Sequence, residues 1–408
     1  MSPRNEPVKT LLVGVAFGRT SIDLRSLDEL HSLAASAGYQ PVERLVCRRD
    51  RPDAALSVGS GKAEEIATII EDAGISTVIF DNPLSPVQQR NLNRLLRVPV
   101  LDRTELILDI FAQRARSNEG KLQVELARIE HQLSRLVRGW THLERQRGGI
   151  GQRGGPGEKQ IELDRRMLDA KARQLRARLD KLERQRRTRR RARSRREAFT
   201  VSLVGYTNAG KSTLFNALTG AGTYAADQLF ATLDTLTRRL RLGDGSEIVL
   251  SDTVGFVRDL PHQLVEAFRA TLEETAQADL LLHVVDASAP DRDEQVEQVE
   301  RVLAEIGADQ VPTIIVLNKI DAAGLPAEIQ RGPCGSISKI SVSAVTGEGL
   351  EWLRGALAER AFEARRADLP SGVDAGLWGE GLEGDFPDPD SSPKESSSSI
   401  SPTHDQFV

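Results

Sequence analysis

The segment Gly205-Tyr206-Thr207-Asn208-Ala209-Gly210-Lys211-Ser212 has the spacing of a phosphate-binding loop. The apolar run TVSLV before it and STLFNALTG after it read as the strand and helix such a loop requires. Glycines let successive backbone amides point at a β-phosphate, and the helix N-terminus adds partial positive charge. Lys211 is expected to neutralise the β and γ oxygens, and Ser212 to place its hydroxyl on Mg2+. A short glycine-rich stretch alone reads equally well as a tight turn; the flanking elements favour phosphate.

What separates guanine from adenine is Asn318-Lys319-Ile320-Asp321, directly after TIIVL and about a hundred residues beyond the loop. The Asp321 carboxylate can accept hydrogen bonds from guanine N1 and N2. Adenine would leave that acceptor unpaired, at a cost of about 1 to 3 kcal/mol or more. Ser343-Ala344-Val345 follows, with backbone able to meet the base carbonyl. Between these elements stands Asp252-Thr253-Val254-Gly255, where Asp252 is expected to hold Mg2+ through water and the Gly255 amide to meet the γ-phosphate. Upstream, Phe230-Ala231-Thr232-Leu233-Asp234 offers Thr232 as a second hydroxyl ligand. Alone it would read as the entry to a β-hairpin with a buried Phe; its place between the loop and DTVG promotes Thr232. Both segments are expected to tighten on a γ-phosphate and relax after hydrolysis. The expected metal set is therefore Ser212, Thr232 and Asp252.

The elements that must position these residues recur as strand-like and helical runs. From Lys9 to Ala115 and again from Phe199 to Arg366, apolar runs alternate with amphipathic ones, which predicts two α/β segments with parallel sheets. Between them Leu122, Leu126, Ile129, Leu133, Leu136 and Trp140 recur at three and four residues, as do Leu168, Ala172, Leu175, Leu179 and Leu182. This predicts a long antiparallel helical hairpin whose tip is the glycine-rich stretch Gly148 to Glu158. That tip reads either as a mobile linker or as a surface for close approach to nucleic acid, flanked by Arg145, Arg147 and Arg153. The expected organisation is an N-terminal α/β domain over 1–115, the hairpin over 116–198, a nucleotide-binding domain over 199–366 and a disordered acidic tail over 367–408.

The 408 residues are too many for one hydrophobic core. A formal net charge of −4 averages opposite segments: Lys171 to Glu197 carries net +11, and Leu369 to Val408 carries net −7. The arginine density favours a polyanionic partner, because a guanidinium binds two phosphate oxygens at once. Two cysteines, Cys47 and Cys334, form no CxxC pair, which excludes a disulfide framework or thiolate zinc site and suits a reducing cytoplasm. No apolar run approaches the roughly 20 residues of a membrane helix. A monomer is expected.

The nucleotide elements are similar to the translation-factor branch of GTPases. By that resemblance Phe256 stands where Ras-like enzymes carry a water-positioning glutamine, so hydrolysis needs another source of organisation. Asn208 matches a position that in several related GTPases helps bind K+ beside the phosphates, which would make Lys211, Asn208 and Gly255 the catalytic set.

Beyond these motifs, VGSGKAEEI (58–66), IFDNPLSPVQQRNL (79–92), RTELILDIFAQRARSNEGKLQVELA (103–127), GGIGQRG, ELDRR (162–166), LFATLD and LSDTVGFVRDLPHQLVEAFRATLEE resemble the HflX family of ribosome-associated GTPases over about residues 8 to 365. The resemblance implies GTP hydrolysis, binding to the large ribosomal subunit through its RNA, and a role in splitting or rescuing stalled ribosomes or in their assembly. One departure is Arg153-Gly154-Gly155-Pro156-Gly157-Glu158-Lys159, which has an added glycine and Lys159 where the family has threonine. Gly59-Ser60-Gly61-Lys62, linked in the family to ATP, lacks the Walker spacing and reads as a strand-to-helix turn. Two alternatives stand beside this reading: an ATP-dependent RNA-remodelling enzyme working through the N-terminal domain, and a non-enzymatic factor for which GTP fixes a conformation.

Overall fold

The computed structural model describes residues 8–18, 27–138, 156–194, 199–220, 229–258, 269–333 and 335–367. The first segment forms β1 (Val8–Phe17), α1 (Asp28–Ser36), β2 (Tyr39–Arg49), α2 (Ser60–Ala73), β3 (Thr77–Phe80), α3 (Pro86–Leu96), β4 (Val100–Asp102) and α4 (Arg103–Arg114). Its four strands are parallel, in the order β2-β1-β3-β4. β1 is buried on both faces, as parallel strands between helical layers are. Leu11, Val13 and Val15 pack toward α2 and α3, and Leu12 faces the cluster of α1 and α4. Local chemistry fixes the helix starts. Ser85 and Gln88 form a reciprocal capping box before Pro86, and Asp102 accepts from the Glu105 amide at 2.9 Å.

The middle segment gives α5 (Asn118–Arg138) and α6 (Pro156–Ser194). They pack along the expected seam: Leu126, Ile129, Ala172 and Leu175 are buried, with Leu122, Leu133, Leu168 and Leu179 around them. Glu125 pairs with Lys171 at 2.7 Å and Glu130 with Arg176 at 2.6 Å across the seam. The expected tip is shortened, because α6 begins at Pro156, whose fixed φ suits a first helical turn. The remainder of the tip, with the connection that would make these helices a hairpin, lies outside the described residues.

The third segment builds β5 (Phe199–Val204), α7 (Lys211–Thr219), β6 (Leu236–Arg241), β7 (Glu247–Asp252), α8 (Arg269–Ala276), β8 (Leu280–Asp286), α9 (Arg292–Glu305), β9 (Thr313–Asn318), α10 (Ile320–Ala323), β10 (Glu328–Arg331), β11 (Ile337–Ser341) and α11 (Leu350–Ala367). The sheet order is β10-β11-β9-β8-β5-β7-β6, with the edge strands β6 and β10 antiparallel to their neighbours. Neither edge strand follows from the apolar alternation; β6, LTRRLR, has one buried residue and is held by pairing with β7. The expected hairpin entry is also present, since Phe230 is buried and β6 and β7 form the hairpin.

The first and third segments share one apolar cluster, running from Leu12, Ile79 and Phe111 to Phe230, Val254, Phe256 and Leu281. Phe111 of α4 meets Phe230 edge to face, with ring centroids 4.6 Å apart. A separate unit, Glu363–Val408, contributes only the end of α11 to the described residues, and the expected tail lies outside them. Among the described residues no helix is long and apolar enough to cross a membrane.

Replacing Ile129 by alanine removes a buried contact between α5 and α6 and is expected to cost that pair about 2 to 5 kcal/mol. Trypsin should then cut the arginine-rich α6 faster than in the parent protein, with cleavage of the third segment unchanged.

Candidate functional site

β5 delivers the chain to Gly205, and the loop turns into α7 through Gly210, whose φ of +89° is left-handed. The lysine that opens α7 is buried: Lys211 Nζ donates to the carbonyls of Gly205 at 3.0 Å and Tyr206 at 2.7 Å. Burial lowers its pKa to about 8, against the opposing attraction of Asp252. The expected metal set converges. Ser212 Oγ donates to Asp252 Oδ2 at 2.7 Å and lies 2.8 Å from Thr232 Oγ1, which stands 3.0 Å from the same carboxylate oxygen. Asp252 is fully buried, burial raises its pKa, and its Oδ1 has no hydrogen-bond partner.

Two hydroxyls and a carboxylate with an unsatisfied buried oxygen form an all-oxygen donor set that fits Mg2+. Among the described residues no three His, Cys, Asp or Glu cluster as a protein-only metal cage. Thr207, Asn208 and Gly210 to Thr213 line one cleft together with Phe230 to Thr232, Thr253 and Gly255.

Asn318 ties the remaining elements to the loop. Its side chain donates to the Ala209 carbonyl at 2.9 Å and accepts from the Ala344 amide at 3.0 Å. Lys319 has a left-handed backbone, and its ammonium pairs with Asp286 at 2.7 Å. Burial alone would raise the Asp286 pKa; hydrogen bonds from Lys319 and Ser288 outweigh it and hold the carboxyl below its usual range. Ile320 and Ser343 are buried, and the Ser343 hydroxyl accepts from the Thr346 amide. Asp321 and Val345 are exposed and do not line the cleft. Asn208 is exposed with φ +62° and lies at the cleft. Ala231 is half-buried at the cleft, whereas Leu233 points into the shared core.

Two of the expected site residues, Asp234 and Tyr206, reach partners that sequence did not single out: Ser117 and Gly120 on one side, Glu29, Asp81, Arg103 and Arg258 on the other. Asp234 Oδ2 accepts from the amides of Arg116 and Ser117 at 3.0 and 2.8 Å, and its Oδ1 accepts from the Ser117 hydroxyl at 2.5 Å. Ser117 Oγ in turn accepts from the Gly120 amide in the first turn of α5. On the other side, Tyr206 of the loop donates to Glu29, and Arg103 and Asp81 complete a polar cluster with Arg258. Only the apolar context of Glu29 and Arg103, each within a helical run, hinted that Arg103 is buried and Glu29 half-buried. His283 on β8 is buried as well, and burial followed by the charge of Lys211 lowers its pKa to about 4.

Family comparisons follow the same order along the chain. Residues 24–112 match the family described as GTP-binding GTPase N-terminal, 114–193 GTP-binding GTPase Middle Region, and 200–319 50S ribosome-binding GTPase. The GTPase HflX of Escherichia coli (strain K12) is 52% identical over 353 residues, covering 86% of this chain and 82% of that protein. The GTPase HflX of Magnetococcus marinus is 50% identical over 359 residues, covering 87% and 82%. Among solved structures, a GTP-binding protein from the archaeon Sulfolobus solfataricus in complex with GDP is 25% identical, with a TM-score of 0.46 over 87% of this chain and 99% of that one.

The lowered pKa of Lys211 sets a proton linkage. Nucleotide phosphates favour the ammonium form, so a group with a pKa of about 8 in the free protein must gain a proton on binding. Calorimetry of GDP binding in buffers of different ionisation enthalpy should show uptake of about half a proton from this group near pH 8. The uptake should fade toward zero near pH 6, where Lys211 is already protonated.

Proposed function

This chain belongs to the HflX family of GTPases and is a GTP hydrolase, and on that premise we propose that the terminal phosphate of GTP controls its attachment to the large ribosomal subunit. The observation that carries this reading is the short segment Phe230 to Asp234. Thr232 reaches Ser212 and Asp252, while Asp234, two residues on, closes the N-terminus of α5. A Cβ on Gly120 would stand 2.4 Å from Asp234 Oδ1, so α5 carries glycine where the carboxylate approaches it. A shift of Thr232 after loss of the γ-phosphate therefore pulls on the start of the helical pair.

In the bound state Ser212, Thr232 and Asp252 would hold Mg2+, which would neutralise charge developing on the β and γ oxygens. Lys211 supplies a second positive charge there, and the Gly255 amide meets the γ-phosphate. Asp321 reads the guanine edge, with Asn318 to Ile320 and Ser343 to Val345 framing the base. Tyr206, Thr207, Ala209 and Gly210 wrap the phosphates by their backbone, and Phe230, Ala231, Leu233, Thr253 and Val254 frame the two moving segments. Asn208, exposed at the cleft, would bind K+ beside the phosphates.

The helical pair is read as an antiparallel hairpin that docks on ribosomal RNA. Its two ion pairs support that direction: in the seam's heptads Glu125 and Lys171 occupy one flanking position and Glu130 and Arg176 the other, so like flanks meet. The arginine run of α6 suits RNA phosphates. The protein is read as a cytoplasmic monomer with the domain divisions expected from the sequence. It would act on stalled or assembling ribosomes. A competing ATP site at Gly59 to Lys62 draws no support from Lys62, which is engaged by Glu65 of its own helix at 2.7 Å.

Cosedimentation with separated ribosomal subunits tests the proposal. Pelleting with the large subunit should be strong with a non-hydrolysable GTP analogue and weak with GDP, and Gly120→Ala should narrow the gap by displacing Asp234. Equal pelleting of the parent protein with both nucleotides would contradict the reading.

A further inference from the structure

The residue that follows the Gly255 glycine raises a problem of organisation, because Phe256 is an apolar, fully buried ring in the shared core. Its main chain is used instead. Phe256 donates its amide to the Gly205 carbonyl at 3.1 Å and accepts from the Thr207 amide at 2.7 Å, joining the phosphate loop to the DxxG segment as a parallel β-bridge. Gly255 is pressed into this frame: a Cβ there would stand 2.9 Å from Lys211 Nζ and 2.8 Å from a Thr207 methyl. The bridge is only one residue pair long, so something else must hold it.

That support comes from the first segment. Tyr206 donates its hydroxyl to Glu29 Oε1 at 2.5 Å and accepts from the Arg258 amide at 2.7 Å. Arg103 pairs with Glu29 and with Asp81, each at 2.8 Å, and donates to the Arg258 carbonyl at 3.1 Å. The Arg258 guanidinium reaches Asp81 at 3.3 Å. Two acids and two arginines make the cluster neutral, and Arg103 is buried. Burial and the neighbouring Glu29 carboxylate hold the Tyr206 hydroxyl well above its ordinary pKa, so it remains a donor. The cluster stands beyond the carboxyl ends of β3 and β4, where open parallel sheets commonly bind small ligands. Here the space is taken by two segments of the chain's own nucleotide site.

We propose that Glu29 and Arg103 are positioning residues for GTP hydrolysis: by gripping Tyr206 and the main chain of Arg258 at either end of the β-bridge, they fix the Gly255 peptide against Lys211. The proposal rests on the role given above to Gly255, and it supplies the organisation that Phe256 does not. Neither residue approaches the cleft itself, so ground-state affinity for GDP, which lacks the γ-phosphate, should not depend on them.

Glu29→Gln, Arg103→Lys and Tyr206→Phe test this by single-turnover hydrolysis at saturating GTP alongside GDP affinity. The first two should slow hydrolysis by about ten- to a hundredfold, the scale of a small misplacement of reacting groups, with GDP affinity within about twofold. Tyr206→Phe should slow it comparably. If one variant does not fold, the remaining two decide. A lowered thermal midpoint with an unchanged hydrolysis rate in the folded variants would show the cluster to be interface packing alone and overturns the proposal. An Asp252→Ala control separates the two levels: if it hydrolyses GTP as the parent does, the assignment of the site itself fails, whatever the Glu29 and Arg103 variants do.

Discussion

Five residues, Phe230 to Asp234, have to satisfy two separate parts of the molecule at once, and a chain that long spans at most about 17 Å. The Phe230 ring stands edge to face on Phe111, the Thr232 hydroxyl meets Ser212 and Asp252, and the Asp234 carboxylate closes the first turn of α5. On the reading proposed here, a shift of the Thr232 hydroxyl would be passed to the helical pair through the two residues that separate it from Asp234.

The same economy appears on the other side of the phosphate loop. The β-bridge between Tyr206 and Phe256 places loop and DxxG segment in register, and the Glu29–Arg103 cluster clamps both. The N-terminal sheet thus has a different use from the small-molecule sites of other doubly wound sheets: the crevice at its strand ends receives polypeptide. Burying the Arg103 guanidinium there is tolerable because Glu29 and Asp81 both pair with it and the cluster is neutral, whereas loss of one partner leaves it less compensated.

Much of this was legible beforehand. The apolar runs LLVGVAF and STVIFDN marked β1 and β3, because burial on both faces of a parallel sheet leaves continuous apolar stretches, while VERLVC marked the less buried edge strand β2. The phosphate loop and DTVG were legible by spacing, and the structure brings Lys211, Ser212 and Gly255 to one cleft, with Asn318 of NKID tied to the loop through Ala209. Three things were not. β6 has polar residues at most positions and is a strand only through its partner, a tertiary effect that periodicity does not carry. Glu29, Asp81 and Arg103 lie in three different elements, and nothing local announces that Arg258, 155 residues from Arg103, completes their charge balance. Asp234 stood in a recognised motif, but its partners at Ser117 and Gly120 belong to another helix.

Amide hydrogen exchange in the first turn of α5, compared between the GDP-bound protein and the protein with a non-hydrolysable GTP analogue, tests the central claim most directly. If the terminal phosphate holds Thr232 and thereby Asp234 in place, the amides from Asn118 to Lys121 should be well protected with the analogue and should exchange markedly faster with GDP. Identical protection in both states, with Thr232 responding to the nucleotide, would contradict a mechanical tie between the phosphate site and the helical pair.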